Sequence, residues 1–289
     1  MSGPDLAAGF EEHRAHLVRV AYGHLGSLAE AEDVVQDAWL RLQRADASEI
    51  RDLRGWLTTT VSRLALDALR SARVRRERYV GPWLPEPLVA DHAADPADRV
   101  TLDESVGMAL LVVLESLSAG ERVAFVLHDV FGYPFDRVAD VLGTSAEAAR
   151  QLASRARRNV EARRPRFPAT REQQQEIVEA FAAATAEGDT DRLVALLHPD
   201  VVLRTDGGGV VNAARKPIEG AGRVAKATVA LAKKGADPST LRYVDVNGMP
   251  GMFIRDWDGT ASVVALTIDD GRIVEVDIVR NPEKLRGLA

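Results

Sequence analysis

Apolar residues change their spacing along this chain, and the changes mark out its architecture. From Phe10 to about Arg78 they recur three or four residues apart with few breakers, the period of helices packed on one face. Ser27 and Glu30 have capping-box spacing and open a helix to about Leu42, with Ala31, Val34, Val35, Ala38 and Leu42 on its apolar stripe. Gln43 to Arg54 is polar and reads as a loop. Beyond Gly55 a further helix turns Leu57, Val61, Leu64 and Ala68 inward. A later helical pair places Phe135, Val138, Ala139 and Leu142 on one face, breaks at Gly143, and resumes with Ala149, Leu152, Ala156 and Val160. Thr144 and Ser145 are both candidate N-caps there, and Thr144 to Glu147 repeats the capping-box spacing.

After the Pro165–Pro168 breaker, Gln173 to Glu187 and Asp191 to Leu197 read as helices. Strand-like runs follow at Val201–Arg204, Leu241–Val246, Met252–Asp256, Ala261–Ile268 and Ile273–Val279, and Asp269-Asp270-Gly271 is a hairpin turn. Helices first and then a mostly antiparallel sheet predict an α+β domain.

Composition narrows the chemistry. A chain of 289 residues has room for two or three domains, and 46% hydrophobic content supports buried cores. The net charge of -6 excludes a uniformly basic coat, so nucleic-acid binding requires local concentration of arginine. With no cysteine there are no disulfides, thiol nucleophiles or cysteine-held metals, and the six histidines form no ligand pattern; no metal or cofactor is expected. The N-terminus has no basic segment followed by an apolar run, and no apolar run reaches membrane-spanning length. The expectation is a soluble cytoplasmic protein with no membrane partner.

Arginine is indeed clustered. Between Arg150 and Arg166 there are seven arginines and one glutamate. Glu147, Gln151, Ser154 and Arg158 lie opposite the apolar face of that helix, flanked by Arg150 and Arg155. Two helices about a Gly-containing turn match a DNA-binding helix-turn-helix, the alternative being an ordinary hairpin with a solvated basic face. Arg63, Asp67 and Arg70 form a stripe on the earlier helix, and Arg73, Arg75, Arg76 and Arg78 extend it. Solvated ion pairs explain such a stripe singly. Two separated DNA-contacting modules explain both clusters. The polar side of the Ser27-capped helix carries Glu30, Glu32, Asp33, Gln36 and Asp37, suited either to the helix dipole or to a partner.

At Tyr79–Pro87 the sequence YVGPWLPEP has three prolines in six residues, which excludes a helix and predicts an extended course. Trp83 and Leu84 in so open a segment imply docking in a groove, against the alternative of a plain stiff linker. The three glycines of Asp206–Gly209 permit a close approach by another chain or a ligand, the alternative being a flexible loop.

The run Ala31–Leu42 (AEDVVQDAWLRL) followed by Arg54–Glu77 resembles region 2 of an extracytoplasmic-function (ECF) sigma factor, and Leu117–Val160 is similar to region 4. The resemblance implies docking of Glu32, Asp33, Gln36 and Asp37 on the core RNA polymerase clamp. It implies that Arg63, Asp67 and Arg70, with part of Asp46–Arg54, meet the melted −10 strand. Arg73, Arg75 and Arg76 would add −10 and phosphate contacts. Arg150, Gln151, Ser154, Arg155 and Arg158 would read the −35 element of promoter DNA, while Arg157, Arg163 and Arg164 hold phosphates. In the family the linker threads near the polymerase active-site cleft.

Phe181–Gly209 and the strands after it resemble the SnoaL-like, NTF2-like cone. WLPEP (Trp83, Leu84, Pro85, Glu86, Pro87), DGGG (Asp206, Gly207, Gly208, Gly209) and NPEKL (Asn281, Pro282, Glu283, Lys284, then Leu285) match signatures of the sigma-factor subgroup carrying that domain. These imply regulatory contacts between the C-terminal domain and the sigma domains, replacing a separate anti-sigma partner. The expected architecture is multidomain: region 2 helical bundle (5–78), linker (79–104), region 4 helix-turn-helix (105–166) and an α+β cone (170–286). Relatives of the cone include enzymes, but His198 and Asp206 are the nearest acid–base candidates here. No enzymatic activity is expected, though a cone also offers a cavity for an unidentified small ligand. The competing reading is an operator-binding regulator with a ligand-sensing cone.

Overall fold

In the computed structural model the described residues are 3–76, 79–91 and 107–288. They divide into two units, one from the residues up to 76 with Leu110–Arg163, the other from 79 to Ala109 and Arg164 onward. None of the described helices is long and apolar enough to cross a membrane.

The first unit is all helical. Helices α1 (Gly3–Leu25), α2 (Leu28–Leu42) and α3 (Leu53–Arg76) pack on one another. Ser27 caps α2 by accepting from the Glu30 amide, and the stripe Ala31, Val34, Val35, Ala38 and Leu42 is buried, as its spacing requires. Helix α3 starts before Gly55, because Asp52 accepts from the Gly55 amide at 2.9 Å and so acts as the cap that the polar loop concealed. Next come α4 (Met108–Leu114) and α5 (Ala119–Phe125), the latter opened by a full capping box between Ser118 and Glu121. A wide turn over Val126–Val130 leads to α6 (Phe135–Leu142) and α7 (Ala146–Arg163). Gly143 sits between these two with φ +64°, a left-handed backbone that favours glycine. Of the two candidate caps, Ser145 is the one used: its Oγ accepts from the Ala148 amide at 3.1 Å.

The second unit is α+β. Helices α8 (Arg171–Glu187) and α9 (Thr190–Leu196) precede β2 (Leu197–Asp206), β3 (Ile218–Glu219) and α10 (Ala221–Gly235). Strands β4 (Ala236–Val246), β5 (Met249–Asp256), β6 (Ala261–Asp269) and β7 (Arg272–Val279) complete the chain's sheet, with β1 (Val89–Asp91) contributed by the linker. The order is β1-β4-β5-β6-β7-β2-β3, antiparallel throughout except for β2 beside β7. The sheet curls around α8 and α10. Val178, Phe181, Val224 and Val229 from the helices meet Leu203, Met252, Leu266 and Val276 from the strands.

Residues 79–91, read from sequence as part of a separate linker, lie with this second unit. The Leu88 carbonyl accepts from the Asn247 amide at 2.8 Å, and β1 pairs along β4 from Val89 opposite Val246.

Candidate functional site

Helix α7 presents a divided surface. Ala149, Ala153, Ala156 and Val160 are buried, which leaves Arg150, Gln151, Ser154, Arg155 and Arg158 together on the exposed side. Arg150 reaches Glu147 at 3.4 Å and lies over the Phe135 ring at 5.4 Å. Arg155 Nε donates to Glu121 Oε1 at 2.9 Å, so the carboxylate that caps α5 also orients this guanidinium. Arg157 points away from that group and donates twice to Asp129, at 2.8 and 2.5 Å. Arg163 and Arg164 are exposed at the helix end. Among the described residues Arg158 enters no ion pair, so its charge is open to solvent.

On α3, Arg63, Asp67 and Arg70 are all exposed, and Arg70 approaches Asp67 at 3.5 Å. Arg63 is not free of protein: its Nη2 donates to the Asp140 carbonyl at 2.6 Å, on the first helix of the helix-turn-helix. Asp52, in the loop before α3, receives Arg137 at 2.7 Å from that same helix. The neighbouring Ser62 is fully buried, with Oγ 3.3 Å from His24 Nε2. Burial, assisted by the charge of Arg122, lowers the His24 pKa to about 3, so its ring is neutral at ordinary pH. Arg73, Arg75 and Arg76 close α3, and their side chains fall outside the described residues. On α2, Glu32, Asp33, Gln36 and Asp37 form one exposed acidic strip opposite the buried stripe.

The three sequence signatures of the second unit meet at Asp206. This residue ends β2, is fully buried, and its carboxylate is the centre of a clamp. Oδ1 accepts from the Tyr79 hydroxyl at 2.6 Å and the Gly208 amide at 3.0 Å. Oδ2 accepts from the Leu84 amide at 2.9 Å and Lys284 Nζ at 2.7 Å. Lys284 also donates to the Leu84 carbonyl and lies 3.9 Å above the Trp83 ring centroid. Local chemistry places it there: Asn281 caps a short 3₁₀ turn at Pro282–Lys284, and its Nδ2 donates to the Tyr79 oxygen at 2.9 Å. Gly208 has φ +66°, and a Cβ there would stand 2.6 Å from Asn281. The glycine run is therefore a close approach between segments, not merely a flexible loop. Burial and the Asp206 carboxylate push the Tyr79 phenol above its ordinary pKa, so Tyr79 stays a donor.

Trp83 is half-buried and Leu84, Pro85 and Pro87 are buried, with Glu86 partly exposed at the edge. Sealing Leu84 alone contributes about 1.5–3 kcal/mol. Tyr79 is the clamp member that sequence reading did not single out. Nothing local marks it, since its partners are more than a hundred residues away. The Asp206 carboxylate, one of the two acid–base candidates of the sequence, is buried and engaged by four donors. His198 Nδ1 accepts from the Asp200 amide at 3.2 Å, a turn contact. Among the described residues no cluster of three metal-ligating side chains occurs.

Two family models match: Sigma-70 region 2 over residues 10–75 and Sigma-70 region 4 over residues 107–160. The chain is 43% identical to the ECF RNA polymerase sigma factor SigJ of Mycobacterium tuberculosis, over 96% of this chain and 92% of that protein. It is 38% identical to the "Probable ECF RNA polymerase sigma factor SigI" of the same organism, covering 97% and 94%. A crystal structure of the M. tuberculosis SigJ superposes with a TM-score of 0.80 at 40% identity, covering 97% of this chain and 98% of that one.

Proposed function

Because the chain belongs to the ECF RNA polymerase sigma factors, we propose that its exposed α2, α3 and α7 faces divide the work of polymerase and promoter binding, under control of the C-terminal domain. The observation that carries the promoter assignment is α7. Arg150, Gln151, Ser154, Arg155 and Arg158 share its exposed side on a helix held by an apolar face and a Ser145 cap. Side chains so arranged reach base edges in a major groove. Arg155, oriented by Glu121, meets its base in a set direction. Arg157, paired to Asp129, stands beside the groove with Arg163 and Arg164 as a phosphate contact.

Arg63, Asp67 and Arg70 serve the −10 element, and Arg63 exchanges the Asp140 carbonyl for DNA when it does so. Arg73, Arg75 and Arg76 extend this charge. Glu32, Asp33, Gln36 and Asp37 meet core polymerase. An operator-binding regulator needs neither this acidic strip nor the arginine stripe of α3. The C-terminal domain acts through the Asp206 clamp, which holds the segment joining the two helical domains, and takes no catalytic part. The working compartment is the cytoplasm, where polymerase and promoter are found.

The test is transcription in vitro with purified core polymerase and the full chain. Initiation that depends on added protein supports the assignment. Arg150→Ala should lose about 1–3 kcal/mol of binding on the cognate promoter and little on a scrambled −35 element. Equal losses on both remove Arg150 from base reading. Asp206→Asn should alter transcript yield without altering which promoters are chosen, and unchanged yield counts against control through the clamp.

A further inference from the structure

The second unit encloses a cavity of about 370 Å³ between α8, α10 and the inner face of the sheet. The two-residue period of the strands decides its lining. Met252 on β5 pairs across β6 Val264 to β7 Ile278, making one apolar row. One step along each strand the next inward residues are Ile254, Ser262 and Arg280, with Asp256 beyond. Phe181 and Leu231 close the helical side. The walls are thus largely hydrocarbon, with Thr185 and Thr228 among the helical lining, and the charged groups of the sheet side gather at one end.

That end is built around Arg280, which is nine-tenths buried. Its Nε donates to Ser262 Oγ at 3.2 Å, one Nη to the Asn212 carbonyl at 2.7 Å, and the other to Asp256. One N–H on each terminal nitrogen is left without a partner among the described residues. The charges nearby sum to zero: Arg280 pairs with Asp256, Asp258 in the β5–β6 hairpin adds a second carboxylate that acts on Arg280, and Lys233 at the rim supplies the second positive charge. A charged guest would find no net counter-charge and would lose its own hydration. Trp257, in the same hairpin, lines the mouth yet is 73% exposed, an aromatic face without a cover. The volume is at the lower end of the roughly 300–1,000 Å³ that small-molecule sites occupy.

We propose that this cavity binds an uncharged, largely apolar molecule bearing a carbonyl-type oxygen. Its hydrocarbon body rests on the Met252–Val264–Ile278 row, its oxygen accepts from the open N–H groups of Arg280, and Trp257 covers it. The site lies next to the clamp in the chain and in space, since the Arg280 amide donates to the Asp206 carbonyl at 2.7 Å.

The experiment is calorimetric titration of the full chain with 2-methyl-1,4-naphthoquinone and with 2-methylnaphthalene, the same skeleton without oxygens. The chain has no cysteine for the quinone to alkylate. The expected result is one saturable quinone site per chain, with the hydrocarbon bound about tenfold more weakly. Ala232→Trp, which fills the cavity from α10, should abolish binding of both. Should that variant not fold, Ala186→Trp at the rim provides the same test. Absence of saturable binding, equal affinity for the two probes, or undiminished binding in a folded filled variant each overturns the proposal.

Discussion

Replacing Asp206 by Asn keeps shape and removes one charge, so it isolates what the clamp carboxylate contributes. In the wild-type chain each oxygen accepts from a backbone amide and a side chain: Gly208 and Tyr79 on Oδ1, Leu84 and Lys284 on Oδ2. An amide side chain turns an NH₂ toward one of these pairs, so one buried backbone N–H faces a donor whichever way it is oriented. Lys284, only 9% exposed, loses its counter-charge and retains the Leu84 carbonyl and the Trp83 ring. Breaking one side of a buried ion pair costs about 3–5 kcal/mol. At the lower bound of about 3 kcal/mol, opening of the linker segment becomes on the order of 100-fold easier. Amide hydrogen exchange followed by mass spectrometry on the full chain reads this at residues 79–91. The Leu84 amide should exchange on the order of 100-fold faster, and peptides from α2 should not change. If Leu84 retains wild-type protection while Asn occupies position 206, the carboxylate is not what holds the linker.

Thr185→Val and Thr228→Val should each stabilise the protein by about 1 kcal/mol in urea unfolding, because both hydroxyls are buried without a hydrogen-bond partner among the described residues; a loss of stability would show that the hydroxyls are satisfied. The first unit should weaken in mild acid. The folded-state pKa of His24 is depressed to about 3, so its contribution is present above pH 6.5 and declines as pH falls, while the unfolded chain takes up the proton. About 1–2 kcal/mol should disappear between pH 6.5 and 5, and a pH-independent unfolding midpoint would rule out a neutral buried ring. His16, lowered to about 4 by burial and then by Arg54, acts in the same direction. Glu121→Gln should weaken −35 binding through Arg155 while leaving Arg150 discrimination intact, as measured by mobility shift on cognate and scrambled DNA.

Much of this protein was legible along the chain because its determinants are local. The α2 stripe, the Ser27 cap, the break at Gly143 and the exposed face of α7 follow from side-chain period and from short-range hydrogen bonds, which act over three or four residues. Alternation likewise located the strands, though the ladder carries β2 and β4 further than their apolar runs, since backbone pairing does not require an apolar side chain. The choice of Ser145 over Thr144 as cap, and of Asp52 as the start of α3, needed the backbone path, because several side chains had suitable chemistry and only one had the geometry. Other features rested on residues far apart in sequence. Tyr79, Asp206 and Lys284 form one site only when the sheet and its turns bring them together, and Arg63 finds the Asp140 carbonyl only across two packed helices. The cavity belongs to this second kind: its lining is set by strand register, and a shift of one residue would turn Arg280 and Ile278 to the other face. The sequence by itself determined the elements and their polar faces, because those depend on neighbours in the chain. The tertiary structure decided which faces meet, because that depends on pairing across the whole chain.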